Sequence, residues 1–288
     1  MSNTGIIKKQ IAVLERILAI SRPRIWMYTA GPFVFGFLFW HRDFNFLLDP
    51  AFLYLFLWLT FPANLFLYAL NDAFDYETDI KNPKKQGFEL KSSMGDRSML
   101  LGVAAISAAT FLFLFFKLPL FIKAGSIIWF LIILTYNIPP FRFKAVPGAD
   151  LLFALNYYFW GVFGYYLASG GQLPSTLAIV LMALFGITMH IYSSSGDIEY
   201  DRDAGIRTIS TVLGSIRANI QVCVLLCSAI LVISSVAGIW YVSLAVLPYV
   251  IFFLAQLWHN PETRFLYWYR NFISLHLIAG GILTMFLI

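Results

Sequence analysis

Hydrophobic runs of roughly 20 residues, long enough to cross a hydrocarbon core of about 30 Å, recur from one end of the chain to the other. Nine spans are expected, at about 25–41, 51–70, 99–116, 119–136, 149–169, 173–194, 219–239, 241–258 and 272–288. Lys117 and Pro119 divide the third from the fourth, and a softer break at Gly238 to Tyr241 divides the seventh from the eighth. Residues 1–24 differ: charges run throughout, with Ile7, Ile11, Leu14 and Leu18 at helical spacing. This predicts an amphipathic helix at the membrane surface rather than a cleaved leader. The expected organisation is an interfacial segment, 1–24, followed by one transmembrane domain, 25–288, in an all-α polytopic fold.

Composition agrees. Of 288 residues, 60% are hydrophobic and only 12% charged, about half the charge of a soluble domain. Charge also orients the spans. With a cytoplasmic N-terminus, only Arg42, Lys117 and Lys123 of the 20 basic residues lie outside, the strong inside bias of a multi-pass protein of the cytoplasmic membrane. That bias accounts for the net charge of +5 without invoking nucleic acid. Cys223 and Cys227 sit one turn apart in an apolar run with no histidine or carboxylate beside them, which predicts packing rather than a metal site.

The acids need their own explanation, because carboxylates are not drawn inward by the same rule. Asn71-Asp72-Ala-Phe-Asp75-Tyr-Glu77-Thr-Asp79 ends the second span, and Asp197-Ile-Glu199-Tyr-Asp201-Arg-Asp203 ends the sixth. At 100° per residue, Asp72, Asp75 and Asp79 share one helical face, as do Asp197 and Asp201, while Glu77, Glu199 and Asp203 point away. Like charges in phase repel, so the pattern expects a cation between them. Carboxylates suit Mg²⁺, which completes its shell with water and substrate phosphate; two clusters on one face could hold two or more ions around one diphosphate. Lys84, Lys85, Arg142, Lys144 and Arg207 follow the clusters or lie in the loop after span four, where they would offset phosphate charge. No nucleotide-binding glycine loop is present, which argues against a nucleotide-driven machine.

These residues resemble the UbiA superfamily of intramembrane prenyltransferases. The family's first signature stands as Asn71, Asp72, Asp75 and Asp79, and its second as Asp197, Asp201 and Gly205. Its Tyr-to-Arg-x-Lys loop is matched by Tyr136, Pro139, Arg142 and Lys144, and Arg22-Pro23 is similar to the opening of its first helix. Asn82-Pro83-Lys84-Lys85, where many aromatic-acceptor members carry Arg-Pro-Leu, looks most like the carotenoid branch of lycopene elongases and elongase/hydratases.

The resemblance implies a helical bundle around a lipid-accessible cavity and Mg²⁺-dependent ionisation of an allylic diphosphate. Metal would be held by Asp72, Asp75, Asp79, Asp197 and Asp201, and diphosphate by Asn71, Lys84, Lys85, Arg142, Lys144 and Arg207. Aromatic faces, with Tyr68, Tyr136, Tyr157, Tyr158 and Tyr192 as candidates, would steady the allylic cation. The carotenoid branch implies dimethylallyl diphosphate as donor and a lipophilic acceptor such as lycopene; an aromatic quinone precursor is the alternative. His190, near the end of span six, could accept a proton, but such a residue is more often an interfacial histidine satisfied by its neighbours, and it is not counted among the site residues. A cation-coupled transporter would carry its acids near the bilayer midplane in broken helices, not at span ends on one face. The CDP-alcohol phosphotransferase signature, Asp-Gly-x-x-Ala-Arg, is absent from the sequence.

Overall fold

The computed structural model describes the backbone of residues 3–75 and 96–288, with side chains from residue 7 onward. The described residues are helices joined by short turns. In chain order they are α1 (Asn3–Ile20), α2 (Met27–His41), α3 (Pro50–Phe74), α4 (Arg97–Thr110), α5 (Leu112–Phe115), α6 (Leu120–Asn137) and α7 (Leu152–Ala168). Then come α8 (Thr176–Ser194), α9 (Ile198–Asp203), α10 (Ile209–Leu213), α11 (Ile216–Val236), α12 (Trp240–Trp258) and α13 (Pro261–Leu287).

A helix stands at each of the nine expected spans. Seven stretches are long and apolar enough to cross a membrane unaided: Pro50–Phe74, Arg97–Phe115, Leu120–Asn137, Thr176–Asp203, Ile216–Val236, Trp240–Trp258 and Pro261–Leu287. The chain is therefore a multi-pass membrane protein. The first and fifth expected spans, α2 and α7, are shorter, at 15 and 17 residues.

The expected breaks fall where backbone chemistry puts them. Pro119 precedes α6, and Gly238, in the left-handed region at φ 75°, separates α11 from α12. The last helix begins at Pro261, well before the expected 272, because Pro261 and Glu262 open it favourably. On α1, Ile7, Ile11, Leu14 and Leu18 are uncovered by protein, as are Lys8, Lys9, Val13 and Glu15 on the same helix.

Two apolar cores form. One gathers residues of α1 to α7 around Trp58, Trp129, Trp160 and Phe163. The other gathers α8, α11, α12 and α13 around Tyr192, Tyr249, Phe253 and Phe272, with Cys223 and Cys227 buried among them as packing groups. A cavity of about 720 Å³ lies between the cores and draws its walls from both.

α2 and α7 meet backbone to backbone. A Cβ on Gly36 would collide with the main chain of Gly161, Gly164 and Tyr165, and one on Gly164 with the Phe33 carbonyl. Small residues permit this approach, which apolar helices in lipid use for packing. Within α3, Pro62 interrupts the amide ladder. The Leu59 carbonyl accepts hydrogen bonds from the Thr29 hydroxyl (2.8 Å) and the Asn64 amide (2.8 Å), tying α2 to α3 in the apolar interior.

Candidate active site

α3 ends at Phe74, so Asp72 and Asp75 do not share a continuous helical stripe. Asp72 occupies the last turn, Asp75 follows the helix with non-helical backbone (φ −108°, ψ 7°), and Asp79 lies outside the described residues. The break separates their environments. Asp72 is 1% exposed, and its Oδ1 is 2.6 Å from Nη2 of Arg22. Arg22 adopts the left-handed conformation at φ 52°, and its guanidinium rests 4.4 Å from the Tyr68 ring centroid, a cation–π contact. Asp75 instead faces the cavity. Lys144 forms an ion pair with its Oδ1, Arg142 approaches the same oxygen at 3.8 Å, and Asn71 donates its side-chain amide to Oδ2 at 2.6 Å. The Asn71 side-chain amide also donates to Oδ1 of Asn137, at the end of α6, at 3.2 Å.

The loop after α6 delivers those cations. Arg142 turns the chain at φ 36°, and Lys144 sits in the helical turn Phe143–Ala145 with its side chain buried. Burial pushes the Lys144 ammonium down to about 8, with Asp201 and Asp197 opposing the drop. These two acids come from the other core. Asp197 and Asp201 both line the cavity, one turn apart across the start of α9, whereas Glu199 and Asp203 are exposed, as the helical phase anticipates. Gly205 at φ 70° turns the chain after α9, and Arg202 closes the loop by donating to the Gly214 carbonyl at 2.6 Å.

The structure therefore brings Asn71, Asp75, Tyr136, Lys144, Asp197 and Asp201 to one end of one cavity. Among the described residues Arg142 approaches the site through Asp75, and Arg207 is exposed and forms no part of the cavity wall. Lys84 and Lys85 lie outside the described residues. Sequence reasoning missed three participants. Arg22 was named only as part of a helix opening. Asn137 braces Asn71. Asp150, fully buried, accepts from the amides of Gly148 (2.8 Å) and Ile209 (3.0 Å) and lies 3.3 Å from Nε2 of His190.

Away from the acids the wall is aromatic and aliphatic. Tyr28, Tyr157 and Tyr158 lie along it with Phe35, Tyr249 and Phe272, and it continues to Arg42 and Ser175 at the other end of the bundle. Tyr68 lines it as well, whereas Tyr192 is buried in the second core against Phe272, at 4.4 Å between ring centroids.

Among the described residues no three metal-binding side chains converge on one point. Mg²⁺ does not need three, since it takes one or two carboxylates and completes its shell with water and phosphate oxygen. Asp197 and Asp201 on one wall and Asp75 on another supply hard oxygen ligands of that kind. The donor set fits the ion.

An acid-and-cation end on a largely apolar cavity fits one class: a membrane enzyme that binds a charged group at one end and a lipophilic partner along the remainder. The family comparison narrows it, because residues 29–276 match the model of the UbiA prenyltransferase family, and the chain belongs to that family. It is a prenyltransferase. Similar curated proteins include a lycopene elongase/hydratase of Haloarcula japonica, 37% identical over 73% of this chain and 71% of its own length. Another, from Corynebacterium glutamicum, is 31% identical over 96% of this chain and 97% of its own. Among solved structures, a UbiA homolog from Aeropyrum pernix K1 superposes with a TM-score of 0.67 at 17% identity, covering 91% of this chain and 96% of that one. A UbiA homolog from Archaeoglobus fulgidus bound to GPP and Mg²⁺ gives 0.62 at 18%, covering 94% and 97%.

Proposed function

We propose that this enzyme transfers the prenyl group of an allylic diphosphate, dimethylallyl diphosphate in the favoured case, to a carotenoid-type polyene such as lycopene. The observation that carries this reading is the polarity of the cavity between the two cores: carboxylates and a buried lysine at one end, mostly aromatic and aliphatic walls along the remainder. The names of its curated relatives support the acceptor. The GPP, DMAPP and Mg²⁺ bound by structural neighbours support the donor and the metal.

In this mechanism Asp75, Asp197 and Asp201 would hold Mg²⁺, joined by Asp72 and by Asp79 beyond the described residues. The ion supplies Lewis-acid neutralisation of the diphosphate. Lys144 and Asn71 would bind diphosphate oxygens, with Arg142 reinforcing Lys144 through Asp75, and Lys84, Lys85 and Arg207 as flanking cations. The allylic C–O bond breaks with its electrons leaving on diphosphate. Tyr136, Phe153 and Tyr157 would then present ring faces to the cation. The acceptor's terminal double bond supplies the electron pair for the new C–C bond. In the same reading the chain crosses the cytoplasmic membrane nine times, α2 and α7 completing the set. Residues 1–24 lie at the interface, and both acidic clusters face the cytoplasm.

Three measurements test this. Asp197→Ala should lower turnover at least about a hundredfold, the several kcal/mol that metal-assisted charge neutralisation supplies, with membrane insertion intact. Activity should vanish with EDTA and return with Mg²⁺; indifference to chelation would overturn the metal assignment. Product masses from purified enzyme, dimethylallyl diphosphate and lycopene should rise by one or two five-carbon units. Consumption of an aromatic acid alone would reassign the acceptor.

A further inference from the structure

His190 and Asp150 form a pair on the cavity wall for which metal and diphosphate binding give no use. Asp150 receives three donors: the Gly148 amide at 2.8 Å, the Ile209 amide at 3.0 Å and Nε2 of His190 at 3.3 Å. The two amides can only donate, so Asp150 accepts on both oxygens, as an ionised carboxylate does. Facing such a carboxylate, Nε2 is the nitrogen that carries the imidazole proton. That leaves the lone pair on Nδ1, which bonds no described residue, in a side chain that belongs to the cavity wall. A carboxylate behind an imidazole fixes its tautomer and stabilises the imidazolium that forms when it takes a proton.

The position suits the task. His190 stands seven residues before Asp197 on continuous helix and turn, ~10 Å along the axis, so it lies on the wall beyond the acidic end. Beside it is an aromatic group. The Phe153 ring lies 6.3 Å from the His190 ring, 4.4 Å from Tyr136 and 5.7 Å from Tyr157, and all four side chains line the cavity. A cation held by those rings has one nitrogen lone pair next to it.

We propose that His190, with Asp150 as its positioning residue, is the base that ends the reaction by removing a proton from the tertiary carbocation left on the acceptor. This rests on the polyene reading above. The electron pair of the C–H bond beside the cationic carbon becomes a new C=C bond, and the proton passes to Nδ1. Asp150 faces the resulting imidazolium. The sum is allylic diphosphate plus alkene giving elongated alkene, diphosphate and a proton.

The test separates ionisation from termination. His190→Gln keeps an N–H for Asp150 but offers no basic nitrogen. Wild type and variant are given dimethylallyl diphosphate and lycopene, and diphosphate release is measured beside the ratio of alkene to hydrated product by mass. Release should stay within about threefold of wild type, while the alkene share falls at least about tenfold, the low end of what a general base contributes. An unchanged alkene share overturns the proposal, as does a parallel fall in release and alkene, which would make the pair a structural staple only. If His190→Gln fails to accumulate, His190→Ala is assayed with and without added imidazole. Alkene restored by imidazole supports the base, and alkene formed equally without it overturns the assignment. A wild-type enzyme that prenylates no polyene brings down the proposed function itself, and this inference with it.

Discussion

The Arg22–Asp72 pair sits where the first helix pair meets the acidic end, with side chains 8% and 1% exposed. Removing one member of such a pair strands a desolvated charge, which costs about 3–5 kcal/mol, whereas replacing both with apolar groups is often neutral. Arg22→Met should therefore lower the thermal midpoint in detergent substantially, and Arg22→Met with Asp72→Leu should recover most of it. The double variant should stay inactive, because stability returns without the carboxylate. If Arg22→Met matches wild type in stability, the pair is not the anchor described. The sequence displayed Asp72 as one of three equivalent acids. It held no sign that the helix ends between Asp72 and Asp75 or that Arg22, 50 residues earlier, would claim the first. Asp150 and His190, 40 residues apart, were equally hidden, since pairing across a bundle leaves no periodic trace. What local periodicity could reveal, it did: Asp197 and Asp201 face the cavity, and Glu199 and Asp203 do not.

At the scale of elements, α2 and α7, the two expected spans shorter than the seven long apolar stretches, are also the pair packed through glycine. Gly164 has no room for a methyl group, which would strike the Phe33 carbonyl, a backbone atom that cannot swing aside. Gly164→Ala should cost about 3 kcal/mol, the upper end of typical overpacking penalties, and loosen one wall of the cavity. Gly102→Ala on α4 is the control: a Cβ there meets open space, and helix propensity predicts a gain of about 0.5–1 kcal/mol. Equal melting temperatures for the two variants would refute the close crossing. The helices themselves were readable because apolar runs and proline or glycine breaks are local signals. Which helices touch was not readable, since a glycine face shows its purpose only once its partner is beside it.

For the whole molecule, the arrangement that matters is two cores flanking one cavity, each contributing acids at the same end. Along α2 the wall runs from Tyr28 through Gly31, Pro32 and Phe35 to Phe39, and along α8 from Ala178 to Ser194. The cavity thus follows nearly the length of both helices, and 15 residues of α2 alone correspond to ~22 Å. An extended hydrocarbon acceptor would fill such a space, and a diphosphate needs only its acidic end. Gly31 gives a way to tell these uses apart. It lines the cavity, and a Cβ built there meets nothing within 4 Å, so a larger side chain projects into the void without disturbing the helix contacts. Gly31→Phe should leave the fold and the thermal midpoint unchanged, because it replaces helix glycine with a better helix former. With a long polyene it should lower kcat/KM by at least about tenfold, equivalent to ~1.4 kcal/mol of lost binding. Affinity for the allylic diphosphate, measured directly by calorimetry with Mg²⁺ present, should stay within about twofold, since the acids lie beyond the plug. A fall in diphosphate affinity as large as the fall in acceptor turnover would mean that the cavity serves the donor throughout its length. The polyene would then have to reach the cation by another route.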